Sequence, residues 1–161
     1  MEIHWEFEVA QLLSRLGTTQ QQLLDLLSRK HDLLIARDHE GLTSLVHQEE
    51  LLAAELEACQ SRRQQLLDQA ATAGLPADSI QSLASALPEE NAEILRQPLD
   101  ESIKRSQLLR HQSVAQWVVV QRTLLHLSHM LEIIATGGQG QPTYGKDGAV
   151  EKSGALMDQA V

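Results

Sequence analysis

Apolar residues recur along most of the chain at spacings of three, four or seven, the period of a helix that buries one face. From about Trp5 to Ala36 the series is Phe7, Leu13, Leu16, Leu23, Leu27 and Leu34. Gly17 followed by Thr18, Thr19 and the Gln20–Gln22 run is its weak point, since an N-cap there with a Gln three residues on restarts a helix. The segment therefore reads either as one helix or as two. Asp38 is a good N-cap for a second helix, with Glu40 in the first turn where acid complements the dipole. Leu42, Leu45, Leu52, Leu56, Cys59, Leu66 and Ala70 keep the rhythm until Gly74 and Pro76 end it. Only about three residues join these two helices, so they must run antiparallel.

Pro76–Gln97 reads as a connection with up to two short helices, Ser79–Ala86 and one begun by Pro88-Glu89-Glu90. A third long helix is expected to open at Pro98, with Asp100 and Glu101 in its first turn, and to stop at Gly137-Gly138. Its stripe of Trp117, Val120, Leu124, Leu127, Leu131 and Ile134 suffices to pack against the hairpin. The expected fold is thus all-α, an antiparallel bundle of three long helices with short helices in the second connection. Residues 1–136 form the helical domain. Residues 137–161, rich in Gly, Gln, Lys, Asp and Ser, bury too little apolar area to offset their ordering entropy and form a flexible tail. Gln20, Glu49 and Arg63 stand where a strict heptad is apolar.

Composition narrows the function. Aromatics are 2% of the 161 residues against 42% hydrophobic, so aliphatic side chains build the core and a β-rich fold is disfavoured. With 13 Lys+Arg against 22 Asp+Glu, the net charge is −9, and no basic patch exists to neutralise phosphates. No nucleic-acid partner is expected. The acidic start lacks the order of a secretory signal, and the most apolar stretch, Val114–Ile134, is broken by Arg122, His126, His129 and Glu132. A cytoplasmic protein without membrane insertion is expected.

Enzyme chemistry finds no foothold: neither a phosphate loop nor a nucleophile elbow is present, and the lone Cys59 sits on an apolar stripe as a small core residue. His126, His129 and Glu132 share a helix face at metal-ligand spacing, but polar positions on an apolar helix are the simpler reading, and no metal or cofactor is assigned. The informative feature is excess apolar surface on the third helix, where thirteen of the 21 residues Val114–Ile134 are apolar. Beyond the packing stripe, Val114, Val118 and Leu125 form a strip on one flank and Val119, Met130 and Ile133 another on the other. A helix outside a bundle needs one stripe, so the surplus calls for a partner, for a second copy, or for Trp5–Leu16 folded over it after a break at Gly17.

A leucine-rich hairpin turning at Ala36-Arg37-Asp38, a Gln/Leu-rich third helix ending in Gly-Gly, and then Tyr144-Gly145-Lys146-Asp147-Gly148 resemble the FlgN family of flagellar export chaperones. The pentad after the last helix is the specific part. The resemblance implies a cytosolic type III export chaperone that holds the hook-associated subunits FlgK and FlgL, prevents their premature polymerisation and delivers them to the export gate protein FlhA. It implies subunit binding through the C-terminal helix, mapped here to Val114, Val118, Leu125, Met130 and Ile133, and gate docking through Tyr144. A longer, more apolar third helix and the Gln-Gly-Gln-Pro insert after Gly138 depart from the family pattern. The competing reading is a homo-oligomeric coiled-coil scaffold, a homodimer using the same face.

Overall fold

A computed structural model of the chain describes residues 3–137. Among them are four helices and no strand: α1 (Trp5–Ala36), α2 (His39–Thr72), α3 (Ile80–Ser85) and α4 (Glu89–Thr136). The chain divides into two compact units at Val120, so that α4 contributes its residues through Val120 to the first and those from Gln121 to the second.

The first unit is built on the α1–α2 hairpin. α1 is continuous through Gly17, resolving the two readings of that segment. The Thr18 and Thr19 hydroxyls donate back to the carbonyls of Ser14 and Arg15, 3.1 and 3.0 Å, so they serve the helix interior rather than cap a new one. The turn after α1 is a Schellman motif: Asp38 N–H reaches the Leu33 carbonyl and Arg37 N–H that of Leu34. Arg37 supplies the left-handed residue at φ 53°, a position that usually falls to glycine. Asp38 closes the motif and at once caps α2, its Oδ1 accepting from Gly41 N–H at 2.9 Å. One residue thus ends one helix and starts the next, which is why the hairpin is so tight. A Cβ at Gly41 would stand 2.6 Å from Leu33 Cδ2 and 2.7 Å from Asp38 Oδ2, so a larger residue there must displace the capping side chain.

α2 returns antiparallel along α1. Arg62 pairs with Glu8, Arg15 with Glu55, and Lys30 with Glu49 at 3.0 Å, so early α1 faces late α2. A second Schellman motif ends α2, with Gly74 at φ 74° and Leu75 N–H reaching the Ala70 carbonyl. Ser79 then caps α3 through its side chain.

The core lies at the end of the hairpin remote from its turn. Val9, Leu12 and Leu13 of α1 meet Cys59, Leu66, Leu67 and Ala70 of α2, Ile80, Leu83 and Ala84 of α3, and Leu95 of α4. The α2 stripe read from periodicity is the buried one at Leu45, Leu52, Cys59, Leu66 and Ala70. α1 departs from expectation at Phe7, which is 63% exposed. At about 100° per residue, Trp5, Val9, Leu12, Leu13 and Leu16 share the core face and Phe7 points to the opposite one.

α4 begins at Glu89, nine residues before the expected start, and Pro98 lies inside it. The start signal at Pro88-Glu89-Glu90 is therefore the effective one: the Pro88 carbonyl accepts from the N–H groups of Asn91 and Ala92. Pro98 removes the bond to the Ile94 carbonyl, and because both residues lie at the surface, water can hydrate the freed oxygen. Leu95 meanwhile enters the core and Leu99 packs against it, which holds the helix together across the proline.

Candidate functional site: the apolar surface of the last helix

Within the first unit α4 lies beside α1, where Leu95 and Leu99 join the α1 core residues and polar contacts follow further along. Gln20, 2% exposed, donates its Nε2 to the Ser102 carbonyl at 3.2 Å and to Ser106 Oγ at 2.8 Å. Its Oε1 has no partner, and neither has Oε1 of Gln112. Gln116 donates to the Leu27 carbonyl at 2.6 Å. The seam polarity noticed at Gln20 thus belongs to the α1–α4 contact, whereas Glu49, the acidic exception, is accounted for by Lys30.

Further along α4 burial ceases. Every residue from Gln121 to Gly137 is exposed. The stripe expected to pack against the hairpin is not buried: Trp117, Leu124, Leu127, Leu131 and Ile134 are exposed by 50 to 73%. Only Val120 of that series is half-buried. The reason is visible in the first unit, where the helix start is displaced to Glu89 and the core uses Leu95 and Leu99 of α4. Burial falls at the opposite end of the helix from the one that periodicity suggests.

The five residues mapped to subunit binding all lie on α4. Val114 and Val118 fall in the first unit, Leu125, Met130 and Ile133 in the second. Val118 is half-buried and the other four are exposed, Leu125 at 69%. Val114 and Val118, four apart, share one side of α4 within the first unit. Met130 and Ile133, three apart, do so within the second. Tyr144 lies outside the described residues. What periodicity missed is that the expected packing stripe is itself part of the available surface; no local signal separates an apolar stripe that finds a partner helix from one that does not.

His129 Nδ1 stands 3.8 Å from Glu132 Oε2, both well exposed, and no cluster of three or more metal-ligating side chains occurs among the described residues. Elsewhere, burial pushes the Cys59 thiol up, away from the reactive thiolate. The hydrogen bond from Arg15 holds the Glu55 carboxyl below the usual carboxylate range, an effect confined to a solvent-screened pair. A cleft of about 550 Å³ between α1 and α4 is lined by Ala10, Leu13, Gly17, Ile94 and Pro98, with Arg105 at its rim. Arg105 there pairs with Glu101 at 3.2 Å. Among the described residues no helix is long and apolar enough to cross a membrane.

Among the described residues the regular structure is helical throughout, and the last part of α4 exposes large apolar side chains. A protein-family model for FlgN protein matches residues 1–152. The chain belongs to the FlgN family, a family of flagellar export chaperones. Comparison with curated proteins and with solved structures finds no match.

Proposed function

We propose that this chain is a cytoplasmic export chaperone for the hook-associated subunits FlgK and FlgL, and that it holds their terminal helices against α4 until the export gate receives them. The observation that carries this reading is the exposure of every residue from Gln121 to Gly137, seven large apolar side chains included. A surface of that kind is costly to leave in water, at about 25 cal/mol per Å², and an amphipathic terminal segment is the partner that covers it in the helix-in-groove manner. Val114, Val118, Leu125, Met130 and Ile133 are the proposed contacts. Affinity is moderate in this scheme, because the subunit must leave at the gate. Residues 1–136, as an antiparallel bundle of three long helices, act as the chaperone domain, and residues 137–161 as a tail whose Tyr144 docks on FlhA. A single Tyr offers a large contact at small ordering cost.

The test is co-purification with FlgK and FlgL. Val118→Asp combined with Leu125→Asp abolishes capture while far-UV circular dichroism is unchanged, and Tyr144→Ala leaves capture intact but weakens retention on the cytoplasmic domain of FlhA. Undiminished capture by the double Asp variant removes this face from the proposal.

A further inference from the structure

Charge is spread unevenly along this chain. The net charge is −9, yet no Asp or Glu occurs between Glu101 and Glu132 of α4. Within the first unit that stretch holds the cations Lys104, Arg105 and Arg110. Arg105 is paired with Glu101 at 3.2 Å, whereas Lys104 and Arg110 are exposed and make no ion pair among the described residues. The middle of α4 is a positive island on an acidic protein. It also carries apolar surface: Ile103, Val114 and Trp117 are 40, 44 and 62% exposed. At about 100° per residue these three fall with Arg110 inside an arc of about 60°. That arc is turned by roughly 100° from the side on which Ser102 and Gln116 meet α1. Lys104 and His111, seven apart, border it on the side of Val114. From Ile103 to Trp117 the face is about 21 Å long at about 1.5 Å per residue, a length that a short helix spans.

We infer that this face of α4 is the docking site of an acidic amphipathic helix, whose apolar stripe lies on Ile103, Val114 and Trp117 and whose carboxylates meet Arg110 and Lys104. The inference rests on the proposed function for the identity of the partner and adds the charge that the partner's helix must carry. Charge complementarity selects this occupant. Exposed charges act over about 8–10 Å at ordinary salt, so a ligand on α4 meets Arg110 and Lys104 before it senses the acidic remainder of the chain. A nucleic acid fits less well, because two free cations neutralise few phosphates and the apolar residues between them ask for an apolar face. The same face of a second copy would set like charges against each other. Trp and Arg are also the residue types that most often dominate an interface, and here Arg110 and Trp117 stand seven apart on one face. An exposed indole beside an unpaired guanidinium gives such a partner both of its anchors.

Fluorescence anisotropy of the full chain with two labelled peptides tests this. Both are about 18 residues long and share one Leu stripe at helical spacing, with Glu beside the stripe in one and Lys in the other. Net charge alone predicts that a chain of −9 prefers the Lys peptide. The expected result is the reverse: the Glu peptide binds about tenfold more tightly, and Trp117 emission moves to shorter wavelength as the indole is covered. Arg110→Glu and Trp117→Ala each raise the dissociation constant of the Glu peptide about tenfold with unchanged circular dichroism. Arg29→Glu, the same change in charge at an exposed site on α1, alters it by about twofold or less. Binding with this pattern supports the inference even where the chain fails to capture FlgK, a failure that counts against the proposed function alone. Equal binding of the two peptides, preference for the Lys peptide, or an Arg110→Glu effect no larger than that of Arg29→Glu overturns it, even where FlgK is captured.

Discussion

Gln20 is the residue at which the cost of polarity inside the helical unit can be measured. Replacing it by Leu, of similar volume, has three consequences. The bonds to the Ser102 carbonyl and Ser106 Oγ are lost, at about 1 kcal/mol each. The buried Oε1 that has no partner disappears, and with it a desolvation cost of about 1–3 kcal/mol. A Leu side chain is buried instead, at a gain of about 1.5–3 kcal/mol. The balance favours Leu by about 0.5–4 kcal/mol. Gln20→Ala, by contrast, loses the same bonds, gains no apolar burial and leaves a void, and is destabilised by about 1–2 kcal/mol. Urea unfolding followed at 222 nm reads both, with the midpoint rising for Leu and falling for Ala at constant slope. Ser106→Ala completes a cycle: it costs about 1 kcal/mol in the native background and almost nothing in the Gln20→Leu background, because the partner amide is gone. A Gln20→Leu protein less stable than the native one by 1 kcal/mol or more would refute this accounting.

Three further outcomes are expected. Arg37→Gly raises stability by about 1 kcal/mol, because it relieves the left-handed strain at φ 53°, whereas Gly41→Ala lowers it through the Leu33 and Asp38 clashes; thermal melts of the two shift in opposite directions. Leu66→Ala, at a site with no exposure in the centre of the core, costs about 2–5 kcal/mol in the same urea assay, and a loss below 1 kcal/mol would mean that the site collapses. For Glu55 the folded carboxyl is held below its ordinary value of 4.5, so its contribution is present above that pH and fades as pH falls through the lowered value. Glu55→Gln therefore shallows the acid limb of the stability profile below about pH 4.5 and leaves its slope at neutral pH unchanged.

Much of this molecule is local and legible as such. The helical period, the Asp38 cap, the short hairpin turn and the buried series of α2 all follow from residues close in sequence, because helix formation and capping are settled within a turn or two. The α1–α2 direction follows from the short turn alone. The family, too, is carried by a pattern along the chain. What the sequence left open or misplaced depends on distant neighbours. Gly17 breaks nothing because the threonines after it bond backward into α1. Pro98 does not start α4 because Leu95, three residues earlier, is already drawn into the core. Phe7 is solvent-facing because Trp5 and Val9 fix the rotation of α1. Most consequential for function, the apolar series from Leu124 to Ile134 has the same spacing as the buried series of α2, and nothing local distinguishes them. Spacing sets which residues share a face; whether that face meets protein or water depends on where the other helices run, and only the folded chain decides that.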